Sequence, residues 1–149
     1  MVDPDARLTK AFRFTSISGQ DESKPLPYDP SSPVQDQILA SFQVSLGNLR
    51  TTYLDSYILH SPLETLGRTM EAWKTLMYLQ DQGKVKLIGV SNTYDVQVLL
   101  ALGESRKVQV VQNRWYERNS WDRDVCAYCL SHGIQYQWVY SHLHGFVIS

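Results

Sequence analysis

Several apolar runs in this 149-residue sequence end on hydrogen-bonding side chains. His60 follows Tyr57-Ile58-Leu59, Ser91-Asn92 follows "LIGV", Gln112-Asn113 follows "VQVV", and Tyr140-Ser141 follows "QYQWV". Imidazole, amide, hydroxyl and phenol groups can each satisfy a carboxamide or a carbonyl without carrying net charge, so such a set suits a planar polar ligand. A single histidine in that position is as readily a core residue bonded to backbone. A succession of such endings is harder to explain by packing alone.

For these residues to act together, the elements that carry them must bring them to one edge. "SYILHSP" is brief, partly β-branched and closed by a Ser-Pro breaker, which reads as a buried strand with His60 at its carboxyl end. Ahead of it, "KAFRFTSISGQDESKPLPYDPSSP" opens with alternating Phe12 and Phe14 and reads as a strand running into a long loop. From Val34, the residues Val34, Ile38, Leu39, Phe42, Leu46 and Leu49 follow a helical period, with Ser31 or Ser32 available as a cap. A second helix carries Leu66, Met70, Trp73, Leu76, Met77 and Leu79 or Gln80 on one face and stops at Gly83. Then "VKLIGVSN" reads as a strand, "TYDVQVLLALGESRK" as a short helix, "VQVVQN" as a strand, "SWDRDVCAYCLSHG" as a helix ended by Gly133, and "IQYQWVY" as a strand. Strands separated by helices pair in parallel through right-handed crossovers. All their carboxyl ends then share one rim, where α/β folds bind ligands. Neither GxGxxG nor GxxxxGK[ST] occurs, so the phosphate-loop signatures of doubly wound nucleotide folds are missing and a β/α barrel is the better expectation.

Composition narrows the class further. With 43% hydrophobic and 11% aromatic residues the chain supports a real core, and residues 1–149 read as a single domain. The net charge is −1 with the basic residues scattered, which argues against a duplex-binding face. The start "MVDPDARLTKAF" lacks the apolar stretch of a signal peptide, and no later run approaches the ~18 apolar residues of a membrane span. The expectation is a soluble, cytoplasmic protein without membrane or nucleic-acid partners, whose only cysteines, Cys126 and Cys129, stay reduced.

At this point a resemblance becomes specific. "YLDSYILHSP", "GKVKLIGVSN", "VQVVQNRWYE" and "YCLSHGIQYQ" resemble successive blocks of the aldo-keto reductase superfamily, in the same order and at similar spacings, from roughly Phe12 to Tyr140. The "QNRWYERNSWD" stretch and the long loop 16–33 look closest to its fungal branch. The resemblance implies a partial (β/α)8 TIM barrel of about five of the eight βα units, its third to seventh strands, truncated at both ends. It implies NADP(H) as cofactor and a small-molecule carbonyl as substrate. Residue by residue, His60 matches the active-site histidine that orients the carbonyl. Ser91, Asn92 and Gln112 match the residues that hold the nicotinamide carboxamide, and Tyr140 matches the aromatic that stacks on the ring. The physical roles agree: a carbonyl that gains a hydride accumulates negative charge on oxygen, so the site must supply positioned donors, and an imidazole N–H is one.

The departures have consequences. The family's tyrosine proton donor and its aspartate lie before the third strand, so the resemblance implies that this segment lacks both. Where members resemble "TKFTSISGQD" this chain reads "FRFTSISGQD", which places Arg13 in the lysine position, or Lys10 if the register slips. Arginine is a fixed fork and no equivalent of a lysine that tunes a neighbour's pKa. The expectations are little reductase activity from this polypeptide alone, and self-association through open sheet edges. The Cys126-x2-Cys129-x2-His132 spacing, with His142 and His144 beyond, has zinc-ligand residue types. Its cysteines sit beside Val125 and Leu130 in an amphipathic helix, so core thiols are the better reading and no metal is expected. "NRWYERNSWDR" has the composition of a base-stacking loop, yet without a wider basic groove it reads better as a loop covering a cofactor. Asp55 and Glu71 receive no catalytic role; Asp55, ahead of a strand, is placed to cap or pair.

Overall fold

The computed structural model describes residues 8–11, 26 and 28–139. Strand and helix alternate through them as β1 (Leu8–Ala11), α1 (Val34–Leu49), β2 (Leu54–Leu59), α2 (Leu66–Asp81), β3 (Val85–Ser91), α3 (Val96–Gly103), β4 (Val110–Arg114), an irregular 3-10 turn (Glu117–Asp122), α4 (Arg123–Ser131) and β5 (Gln135–Val139). The strands form one sheet in the order β1-β2-β3-β4-β5, parallel at every pairing. A parallel sheet with sequential strand order is the wall of a β/α barrel seen in part.

β1 is described over Leu8–Ala11, and the Phe12/Phe14 alternation lies outside the described residues. Ala11 pairs with Leu59, the last residue of β2. Lys10 lies in β1 level with Ile58, whereas Arg13 falls outside the described residues. β2 is buried at nearly every position, which is the signature of a strand covered on both faces.

The helices bury the faces that their periodicity marks. Val34, Ile38 and Phe42 of α1 and Trp73, Leu76 and Leu79 of α2 are in the core with Leu54, Tyr57, Leu59, Ile88 and Val90 of the sheet. Phe42 meets Tyr57 edge to face at 5.3 Å, and the Tyr57 hydroxyl, its pKa pushed upward by burial, donates to the Ile38 carbonyl at 3.3 Å. Leu49, Leu66 and Leu130 depart from expectation and are exposed. Leu49 and Leu66 sit in terminal turns, where the helix has run past the sheet it covers. The α1 cap also differs: Pro33 occupies the N-cap without a side-chain bond, because Asp29 takes both the Ser31 backbone N–H and its hydroxyl. Thr65 and Asp95 cap α2 and α3 by accepting the Arg68 and Gln97 N–H groups. Gly83 and Gly133 close α2 and α4 with φ of +67° and +60°, the left-handed turn that lets the chain drop back into the next strand.

β3 and β4 approach so closely at Gly89 that any Cβ there would collide with the Val110 carbonyl. This contact sets the β3–β4 register, Gly89 opposite Val110 and Ser91 opposite Gln112.

Candidate functional site at the carboxyl ends of the strands

That register brings the predicted residues together. Leu59 pairs with Val90 and Ser91 with Gln112, so His60, one residue beyond Leu59, stands at the level of Ser91, Gln112 and Gln137. The Asn92 side-chain amide donates to the His60 carbonyl at 2.7 Å, joining the ends of β2 and β3. It also approaches the Ser91 hydroxyl at 3.3 Å, while that hydroxyl donates to the Gln112 carbonyl and joins β3 to β4. Asn92 does this from a left-handed backbone, φ +50°, a conformation that asparagine tolerates better than most residues. Its Oδ1 receives the Tyr94 hydroxyl at the long distance of 3.4 Å. Burial raises the pKa of that hydroxyl, which also accepts the Arg114 N–H.

Gln112 is half-buried. Its Nε2 donates to Gln137 Oε1 on β5 at 3.0 Å, and its own Oε1 is buried without a hydrogen-bond partner. A buried acceptor left unpaired costs about 1–3 kcal/mol, so it marks a place where an incoming donor would be welcomed. The primary amide of a carboxamide is such a donor, and Asn92 and the half-buried His60 stand at the same rim. The residues present therefore fit the carboxamide end of a nicotinamide cofactor. Ser91 is buried and its hydroxyl is spent between strands, so its part here is to set the spacing of its neighbours. Tyr140 lies outside the described residues, as do His142 and His144.

One strand end differs from the sequence expectation. Asn113 does not share the rim with Gln112; alternation along the strand turns it to the other face, where it is fully buried. There it bonds Thr93 and Asp122, and Tyr136 of β5 donates to the same Asp122 oxygen. Asp122 has its pKa raised by burial, against the opposing effect of the Tyr136 and Asn113 hydrogen bonds. Sequence reasoning missed Gln137, Thr93, Asp122 and Tyr136. The alternation Gln135-Tyr136-Gln137-Trp138 in β5 was the available signal for Gln137, whereas Asp122 carried none.

The aromatic stretch after β4 folds on itself. Trp115 meets Trp121 at 4.7 Å and Trp138 at 5.8 Å, and with Cys126 and Leu130 the first two line a shallow apolar cleft to which none of His60, Ser91, Asn92 or Gln112 contributes. Cys129 is a core thiol, its pKa pushed up to about 12 by burial. His132 stacks on Tyr128 at 4.0 Å, with Nδ1 2.9 Å from the Tyr128 carbonyl. Asp55 forms an ion pair with Lys86 at 2.7 Å. Among the described residues no helix is long and apolar enough to cross a membrane.

Comparisons with known proteins converge on one family. The model of the aldo/keto reductase family matches residues 23–148. An uncharacterized oxidoreductase of Bacillus subtilis, YtbE, is 35% identical over 102 residues, covering 67% of this chain and 35% of the relative. The NADPH-dependent alpha-keto amide reductase of Saccharomyces cerevisiae is 37% identical over 83 residues, covering 52% of this chain and 27% of the relative. Among solved structures, a Gox0644 variant in complex with NADPH superposes with a TM-score of 0.60 at 28% identity, over 69% of this chain and 38% of that one. The chain thus spans about a third of the length of the relatives it matches. The family match over most of the chain, together with the parallel β/α sheet, makes this protein a member of the aldo/keto reductase family.

Proposed function

We propose that this chain carries the nicotinamide-binding rim of an NADP(H)-dependent carbonyl reductase. In this reading Asn92 and Gln112 hold the carboxamide at a spacing set by Ser91, Tyr140 stacks on the ring, and His60 donates to the substrate carbonyl. The buried, unpartnered Gln112 Oε1 beside Asn92 is the observation that supports it most directly. Bound NADPH would supply hydride. The residues of the chain do the rest: Asn92 and Gln112 fix which face of the ring is presented, and an imidazole N–H stabilises charge on the oxygen of the acceptor. The NADPH-dependent relative acts on an alpha-keto amide, which favours a small activated carbonyl as substrate here. The reading also places the protein in the cytoplasm, where the unpaired thiols Cys126 and Cys129 remain reduced.

Calorimetric titration of NADPH into the purified chain tests this. Saturable binding, weakened by Asn92→Ala and by Gln112→Ala, is the expected result. A folded protein that gives no heat, or binding indifferent to both substitutions, overturns the assignment.

A second reading has its own observation. β5 is an edge strand among the described residues, and Trp138 and Val139 on it are 56% and 37% exposed. An exposed edge carrying large apolar residues is a template for strand pairing. A non-enzymatic chain that pairs with a second copy through β5 would sediment as a dimer, and Trp138→Lys would return it to monomer.

A further inference from the structure

Asn92 has to keep a left-handed backbone while its side chain reaches the His60 carbonyl. Asparagine tolerates that region better than most residues but does not prefer it, so the surroundings supply the constraint that fixes it there. On its N-terminal side the constraint is the sheet, with Ser91 paired to Gln112 and the Asn92 N–H donating to the Gln112 carbonyl at 3.3 Å. On its C-terminal side the Thr93 hydroxyl donates back to the Ser91 carbonyl at 3.2 Å, and the backbone of Thr93 itself is held by one side chain. Asn113 Oδ1 accepts the Thr93 N–H at 3.0 Å, and Asn113 Nδ2 donates to the Thr93 carbonyl at 2.7 Å. One primary amide thus grips both backbone groups of the residue after Asn92. Its second amide hydrogen goes to Asp122 Oδ2 at 2.6 Å, and the Tyr136 hydroxyl donates to that same oxygen at 2.6 Å. The orientation is determined by chemistry: turned over, the amide would aim donor at donor and acceptor at carboxylate. Asn113, Thr93 and Asp122 are all buried, at 0%, 1% and 5% exposure, where an unmade bond is costly and a satisfied network is rigid.

We infer that Asn113, anchored from behind by Asp122 and Tyr136, is a positioning residue that holds Asn92 in its ligand-facing posture from the opposite face of the sheet. The ligand is the nicotinamide of the preceding proposal, and that part rests on it; the conformational part does not. The arrangement also accounts for the spacing: Gln112 faces the rim and Asn113 the outer layer, so consecutive residues of β4 provide one ligand contact and one support for its neighbour.

The test uses the whole labelled chain, followed by NMR and by NADPH titration. In the wild type the Thr93 amide should be protected from exchange, and Asn92 should show the strong intraresidue HN–Hα cross-peak of a positive φ. Asn113→Leu, close in shape but without either bond, should speed Thr93 exchange about tenfold or more, abolish the Asn92 signature and weaken NADPH binding about tenfold. Asp122→Asn is the conservative variant. Both donors converge on one oxygen, so its amide oxygen can accept both, and it should keep the signature and the affinity. Asp122→Ala removes the anchor alone and should speed Thr93 exchange about threefold or more, which keeps the inference testable even where Asn113→Leu does not fold. An unchanged Thr93 exchange rate and Asn92 signature in whichever of these two variants folds overturns the inference. Failure of the wild type to bind NADPH would instead strike the cofactor reading and leave the conformational result to stand or fall on the exchange data.

Discussion

Replacing Gln112 by methionine sets stability against binding in a way the geometry makes calculable. Gln112 makes one side-chain hydrogen bond, from Nε2 to Gln137 Oε1 at 3.0 Å, and leaves Oε1 buried without a partner. Methionine has nearly the same length and shape and neither polar atom. Because Gln137 is only partly buried, water can replace the lost donor on its Oε1, so the substitution gives up a bond with a net value of about 0.5–1.5 kcal/mol and relieves a desolvated acceptor that costs about 1–3 kcal/mol. The balance is a stabilisation of about 1 kcal/mol, which for a chain of this size raises Tm by about 2–4 °C. Urea denaturation should show a higher midpoint with an unchanged slope, since the surface exposed on unfolding is the same. NADPH binding should move the other way, weakening about five- to tenfold for the loss of one acceptor to a bound carboxamide. A Gln112→Met protein that loses 1 kcal/mol or more of stability while binding NADPH as the wild type does would refute both halves of the reasoning. It would mean that the acceptor is satisfied and that the rim is not where the carboxamide sits.

Two further perturbations probe the frame around the site. Gly89→Ala places a methyl group against the Val110 carbonyl, which is backbone and cannot rotate away; the strands must part. A loss of about 2–4 kcal/mol is expected in chemical denaturation, with Ser91 and Gln112 losing their pairing in the same NMR spectra. Asp122 gives a pH dependence of known sign: its folded pKa is raised by burial above the ordinary 3.8, Asp124 pushing it the same way and the Tyr136 and Asn113 hydrogen bonds opposing. The stability it contributes is present below its unfolded pKa and is lost as pH rises through the raised value. Wild type should therefore lose stability relative to Asp122→Asn as pH climbs from about 3.8 through that value, and the difference should be flat above it; a difference that grows in the opposite direction would show the carboxylate to be favoured by its site.

Much of this protein is determined by its sequence acting locally. Helical periodicity in α1 and α2, the glycines after α2 and α4, and short apolar runs between them specify alternating helices and strands, because each signal acts over one or two turns of chain. Alternation in turn requires parallel pairing, and parallel pairing collects strand ends at one rim, which is why His60, Ser91, Asn92 and Gln112 could be grouped from the order of the elements alone. What needed the tertiary structure was the side of the sheet that each residue takes. Gln112 and Asn113 are adjacent and chemically alike, yet one meets Gln137 at the rim and the other disappears beneath Thr93 and Asp122. Because the side-chain period of a strand is two residues, that choice depends on a register set across strands some twenty residues apart, here by the Gly89–Val110 contact. The left-handed turns at Asn92 and Asp122 are likewise invisible in composition. They exist because hydrogen bonds from distant elements, Asn113 to Thr93 and Tyr136 to Asp122, hold the neighbouring chain in place.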